Sequence, residues 1–348
     1  MKTAIICFSD QGFHLAQSLQ AGLEKFGFET EISVKSRHVQ NADECNITET
    51  LSSWTERQFR EKHAIFFIGA CGIAVRAIAP YIKNKDTDPA VIAIDEQGNF
   101  AVPLLSGHLG GANRMAEWAA SVTGAVPVIT TATDINQVFA VDLFAKKNGL
   151  NIQDLKMARE ISAALLAGVF VGFSCDFPVS GKLPKGLVNG KDTELGISIS
   201  VRKDRRPFQR TLKLIPKAVI LGIGCRKGTS KECIRQAVSQ ILESGRIEPC
   251  ALGGAASIDL KKEEQGILEY CKGTGIPFTT YSAGELMQAE GEFTSSGFVS
   301  SITGADNVCE RSAVLAAGDG GQLMAGKQAG DGVTAALAIK DWRIRFEP

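Results

Sequence analysis

Again and again the chain passes from a short apolar run, through glycine, into residues at helical spacing. Residues 64–68 lead into Gly69-Ala70-Cys71-Gly72 and an apolar helix. Leu105 leads through Ser106-Gly107-His108-Leu109-Gly110-Gly111-Ala112-Asn113 into a segment whose apolar residues Leu109, Ala112, Ala116 and Ala119 recur at helical spacing. Residues 218–223 run into Gly222-Ile223-Gly224-Cys225-Arg226-Lys227-Gly228, after which Ser230 caps a helix to Leu242. Runs this short, bounded by glycine, read as buried strands, and strands alternating with helices predict α/β domains. The 36 glycines exceed the usual share and mostly fall between apolar runs, which suits α/β turns better than disorder.

The pattern predicts three pieces. Residues 1–148 form an N-terminal α/β domain on an open parallel sheet, with a turn at Ser9-Asp10-Gln11-Gly12, helices over 15–26, 51–60 and 137–148, and strands over 3–8, 28–34, 64–68, 91–94 and 126–129. Residues 149–215 form a small, linker-like middle α/β domain with a helix over 154–167. Residues 216–348 form a C-terminal α/β domain whose strands include 276–280 and 333–339. Several strands end in polar or glycine-rich loops, and in an open parallel sheet ligands bind at those carboxyl ends.

Formal net charge is zero, from 38 basic and 38 acidic side chains, so no broad nucleic-acid surface is expected. The nine cysteines form no Cys-x-x-Cys pair and are odd in number, which argues against a zinc knuckle or a disulfide framework and for a reduced, cytoplasmic setting. The first apolar run stops at Ser9-Asp10, too soon for a signal peptide, and no run reaches membrane-spanning length. No metal site is expected.

All four histidines lie in the first third, at 14, 38, 63 and 108, so a histidine acid or base must come from the N-terminal domain. His108, in a glycine loop at a helix start, is the candidate general acid or base, with Asp95 and Asp134 to orient or assist it. The bland alternatives are a histidine that bonds only backbone and, for Asp134, a helix N-cap. Ser106, Gly107, Gly110, Gly111 and Asn113 offer backbone approach and helix-terminal N–H donors to an anionic group. Arg76, the one charge in an apolar helix, is either a carboxylate fork or a side chain reaching to solvent. The second loop, with Gly224, Arg226, Lys227 and Gly228, lacks the Walker spacing. Ser106 lacks a nucleophile elbow, because position 104 is Leu. Cys71 or Cys225 could carry a lowered pKa, although packing cysteines are commoner. Glu310 opens a helix, where it could favour the dipole or take part in chemistry. These features fit an enzyme acting on a carboxylate-bearing small molecule, or a non-catalytic binder or carrier of the same ligand.

Five segments together carry a resemblance. They are Gly72-Ile73-Ala74-Val75-Arg76-Ala77-Ile78-Ala79-Pro80, the Leu104–Asn113 loop, Ile129-Thr130-Thr131-Ala132-Thr133-Asp134, Gly222–Gly228, and Ser301-Ile302-Thr303-Gly304-Ala305-Asp306-Asn307-Val308-Cys309-Glu310. In this order they resemble the cobalt-precorrin-5A hydrolase family of anaerobic cobalamin biosynthesis. The resemblance implies a cobalt-containing tetrapyrrole substrate whose ring-fused δ-lactone is opened by water, with loss of acetaldehyde to give cobalt-precorrin-5B. It implies no cofactor, since cobalt arrives within the substrate. The substrate's acetate and propionate arms match Arg76 and the two glycine loops, and Asp306 and Asn307 join the expected binding set. A homodimer, or transient contact with neighbouring pathway enzymes, is the partner allowed beyond the substrate.

Overall fold

Burial on both faces organises the first sheet. The computed structural model describes residues 1–40, 42, 44–84, 87–107, 110–131, 138–190 and 192–346, apart from the side chain of Phe298. The chain divides into two units, Met1–Gln137 and Val138–Pro348. In the first, β1 (Lys2–Cys7), β2 (Glu29–Val34), β3 (Ala64–Ile68) and β4 (Ala90–Ile94) run parallel, and β3 and β4 are buried at every residue. Helices α1 (Asp10–Lys25) and α4 (Ala112–Thr123) cover the face carrying Ile5, Phe66 and Ile92. Helices α2 (Leu51–Glu61) and α3 (Cys71–Ile78) cover the opposite face, carrying Ile6, Ile65 and Phe67. Such two-sided cover is what near-continuous apolar strands require.

Two readings are corrected here. The segment from Ser9 to Gly12 is the first turn of α1 and not a separate turn: Ser9 is the N-cap and its hydroxyl accepts the Gly12 N–H at 3.2 Å. The passage from Phe100 to Leu105 is itself a strand, β5 (Phe100–Leu105), antiparallel to β4, so the sheet is mixed. Asp95 and Gly98 close the intervening turn, with the Gly98 N–H on the Asp95 carbonyl at 2.9 Å. The edge strand β6 (Val126–Pro127) then pairs parallel to β5, giving the order β2-β1-β3-β4-β5-β6.

The helix expected to close the first domain belongs to the second unit. In α5 (Val141–Lys147), Val141, Phe144 and Ala145 enter the core of the middle sheet. That sheet comprises β7 (Leu150–Ile152), β8 (Val171–Cys175), β10 (Leu187–Asn189), β11 (Leu195–Ile199) and β12 (Arg210–Pro216), in the order β10-β8-β11-β12-β7. Asp154 caps its helix α6 (Leu155–Leu166). A separate two-residue strand, β9 (Val179–Ser180), pairs with β18 (Ile344–Arg345), far along the sequence. Beside that pair, Phe346 stacks on Phe144 at 4.8 Å and meets Phe173 edge-on at 5.1 Å, while Asn148 and Arg345 exchange two hydrogen bonds.

The last sheet has the order β15-β14-β13-β17-β16. Its strands β13 (Val219–Cys225), β14 (Leu252–Ile258) and β15 (Phe278–Tyr281) are parallel; β16 (Gln322–Gly330) and β17 (Val333–Ile339) form an antiparallel hairpin beside β13. Helices α7 (Lys231–Ser244) and α8 (Gln265–Thr274) follow the first two strands, and α9 (Ala283–Met287), α10 (Gly297–Thr303) and α11 (Cys309–Ala317) precede the hairpin. A β-carbon at Gly222 would sit 1.7 Å from the Cys309 carbonyl oxygen, so glycine there is what lets α11 lie on β13. Among the described residues no helix is long and apolar enough to cross a membrane.

Candidate functional site

The first unit gathers one set of motif residues and separates another. Ser106 ends β5 in a left-handed conformation (φ 56°), and its buried hydroxyl donates to the Asp88 carbonyl at 3.0 Å. Asp88 in turn accepts the Lys83 N–H at 2.8 Å. Gly111 caps α4 at φ 86°, and the Asn113 amide donates to the Thr131 hydroxyl at 2.9 Å. The serine-glycine loop therefore meets the threonine cluster that follows β6. His108 and Asp134 lie outside the described residues.

The loop is less open than expected. The Ala112 N–H bonds the Ser106 carbonyl at 3.1 Å and the Asn113 N–H bonds the Gly107 carbonyl at 3.0 Å. The Asn113 donor assigned to an anion is thus closed on the loop itself, as is that of Ala112, and a β-carbon at Gly110 would strike Ser106 at 2.3 Å. Arg76 is exposed on α3 and makes no ion pair among the described residues; its Nη1 reaches only the Gly72 carbonyl at 3.5 Å.

Asp95 does not join this loop. Antiparallel pairing sets Ile94 beside Ala101 and Val91 beside Leu105, so Asp95 and Ser106 occupy opposite ends of the β4–β5 hairpin. At roughly 3.4 Å per residue the strand between them spans about 17–20 Å. The Asp95 carboxylate instead accepts from Gln97 N (3.1 Å), Asn99 Nδ2 (3.2 Å) and Phe100 N (2.7 Å). Burial raises its pKa, but these bonds outweigh it and hold the carboxyl below its ordinary value. A depressed value stabilises the fold above the unfolded pKa and is lost as pH falls through the folded one. Asp95→Ala should therefore cost about 1–2 kcal/mol at neutral pH, with the gap to wild type closing in acid. Paired thermal melts at the two pH values check this. A gap that persists unchanged in acid removes the carboxylate from the account.

The second unit holds a cleft of about 1240 Å³ at the carboxyl ends of β13 and β14. Its volume exceeds the usual range for small-molecule sites, about 300–1,000 Å³. Gly224, Arg226, Lys227 and Gly228 line it as expected, joined by Lys231, Lys261 and Lys327. Lys261 pairs with Glu264 at 3.0 Å. Arg226, Lys227, Lys231 and Lys327 make no ion pair among the described residues, and cations outnumber the lining acids Glu263, Glu264 and Glu269. The Gly228 N–H is already engaged by a Glu264 carboxylate oxygen at 2.7 Å. Burial disfavours that charge, but Lys261 and Gly228 outweigh it and keep the carboxyl below its usual range. The side-chain cations, and not the Gly228 amide, are thus what the loop offers an anion. Cys225 also lines the cleft, and burial raises its thiol pKa, the reverse of an activated nucleophile.

Asp306 and Glu310 are taken up by bonds within the fold, whereas Asn307 also lines the cleft. Arg311 grips Asp306 through Nε at 2.6 Å and Nη2 at 3.2 Å, and this hydrogen bond holds Asp306 below the ordinary carboxylate range. Glu310 is 1% exposed, and its two oxygens accept from Thr294 N (2.7 Å), Thr294 Oγ1 (3.1 Å), Asn307 Nδ2 (2.6 Å) and Lys327 N (2.6 Å). Asn307 also donates to the Thr294 carbonyl and accepts the Glu310 N–H. No acceptor is left on Glu310 for chemistry. Sequence reasoning missed Lys327, whose signal is non-local: the β16–β17 hairpin carries it to the cleft. It also passed over Lys231, although that residue directly follows the Ser230 cap.

Three family models match in series: Cobalamin synthesis G N-terminal over residues 53–134, Cobalamin biosynthesis central region over 139–216, and Cobalamin synthesis G C-terminus over 219–338. A cobalt-precorrin-5A hydrolase of Salmonella typhimurium is 32% identical over 349 residues, covering 97% of each chain. Another, from Priestia megaterium, is 29% identical over 299 residues, covering 81% of this chain and 79% of the relative. The solved structure of a cobalamin biosynthesis protein G homolog from Sulfolobus solfataricus covers 97% of both chains, at 23% identity and a TM-score of 0.40.

Proposed function

Because the chain belongs to the cobalamin synthesis G family, whose relatives above are cobalt-precorrin-5A hydrolases, we propose that it hydrolyses cobalt-precorrin-5A to cobalt-precorrin-5B and releases acetaldehyde. Water adds to the lactone carbonyl, and the ring C–O bond breaks to leave a carboxylate and a hydroxyl. Removal of the hydroxyl proton then makes the C=O of acetaldehyde as the bond to the macrocycle breaks, its electron pair passing into the conjugated ring. Both steps need a group that takes and returns protons near neutral pH, and His108 is assigned that part. Cobalt enters with the substrate.

The observation that carries this reading on the structural side is the cleft at the ends of β13 and β14. It is large enough for a macrocycle, and four of its lining cations, Arg226, Lys227, Lys231 and Lys327, make no ion pair among the described residues, as a polycarboxylate requires. The test is anaerobic incubation of the full chain with the lactone substrate while acetaldehyde is assayed. Stoichiometric acetaldehyde is expected. Tight binding without acetaldehyde would make the protein a tetrapyrrole carrier instead.

A further inference from the structure

Two kinds of group line the cleft. Arg226 and Lys227 from the β13–α7 connection, Lys231 at the start of α7 and Lys327 from β16 are cationic, with Lys261 paired to Glu264. Leu260, just past β14, and Ile302 on α10 are aliphatic, and they are 65% and 62% exposed. Large aliphatic side chains left so exposed within a single concave site are what an apolar ligand surface would cover. Among the described residues none that lines the cleft is His or Met, and of its carboxylates Glu264 is taken up by Lys261 and the Gly228 N–H. The lining thiols, Cys225 and Cys309, are raised by burial, Cys309 to about 11, so neither offers a ready thiolate.

We propose that this cleft seats the flat face of the tetrapyrrole against Leu260 and Ile302, holds its carboxylate arms with Arg226, Lys227, Lys231 and Lys327, and makes no bond to the metal. This rests on the hydrolase reading for the identity of the ligand, and adds that recognition here is blind to cobalt. A metal-free macrocycle with the same arms should then bind as well as its cobalt form.

Calorimetry on the full-length protein with uroporphyrin, which bears acetate and propionate arms, and with its cobalt complex tests the idea. The two dissociation constants should agree within about threefold, since a coordination bond would separate them far more widely. Leu260→Asp and Ile302→Asp should each weaken both ligands on the order of tenfold or more, the scale of one apolar side chain's burial. Lys227→Ala and Lys327→Ala should flatten the salt dependence. Phe170→Ser, at an exposed apolar residue outside the cleft, should change nothing. Tenfold tighter binding of the cobalt form, or unchanged binding in both aspartate variants, overturns the proposal. If these shifts occur but the wild type releases no acetaldehyde, the hydrolase reading fails and the seat stands. If acetaldehyde release is normal and indifferent to Leu260→Asp and Ile302→Asp, the seat fails and the hydrolase stands.

Discussion

His108→Ala should lower turnover of the lactone on the order of 10²–10⁴, the range for a positioned acid or base, while substrate affinity stays near that of wild type. The motif carboxylates that the structure describes are poor substitutes. Asp95 sits at the far end of the β4–β5 hairpin, Asp306 is clamped by Arg311, and the Glu310 oxygens are saturated. The remaining motif carboxylate, Asp134, lies outside the described residues, as does His108. Single-turnover acetaldehyde release, measured beside the binding constant, separates the two effects. A loss below about tenfold would take His108 out of the proton inventory.

Glu310→Ala should be costly for a different reason. The substitution takes a charged acceptor from the buried Asn307 amide and from the Thr294 and Lys327 N–H groups, whose bonds to it are partly buried. At about 1–3 kcal/mol for each unsatisfied group, a loss of roughly 3–5 kcal/mol is expected after partial rescue by water. In a unit of this size that is on the order of 10 °C in Tm. Differential scanning calorimetry of the full chain reads it directly. An unchanged Tm with turnover abolished would instead place Glu310 in the chemistry.

The local grammar of the fold was legible wherever short-range physics sets it. Ser230 caps the helix it was expected to cap, and the strand over 333–339 stands where its apolar run put it. Reading failed where partners are distant. The run from Phe100 to Leu105 shows no polar alternation because it is largely covered, so its reversal against β4 could not be read from periodicity. Position relative to a helix misled in the same way. Glu310 at a helix start reads equally as a dipole partner or an acid, and only its four donors decide. The cationic lining was half visible: Arg226 and Lys227 sit in one motif, whereas Lys327 arrives from a hairpin about a hundred residues later.

The aromatic cluster joining Phe346 to Phe144 and Phe173 sets an order on biosynthesis. While residues 342–346 remain inside the ribosome, the middle sheet lacks both Ile344 and Phe346, so its apolar side stays open to the surroundings. The first unit, whose strands all lie before residue 128, carries no such debt and can settle during translation. The first unit can therefore be complete while the middle sheet still waits for the segment that closes it.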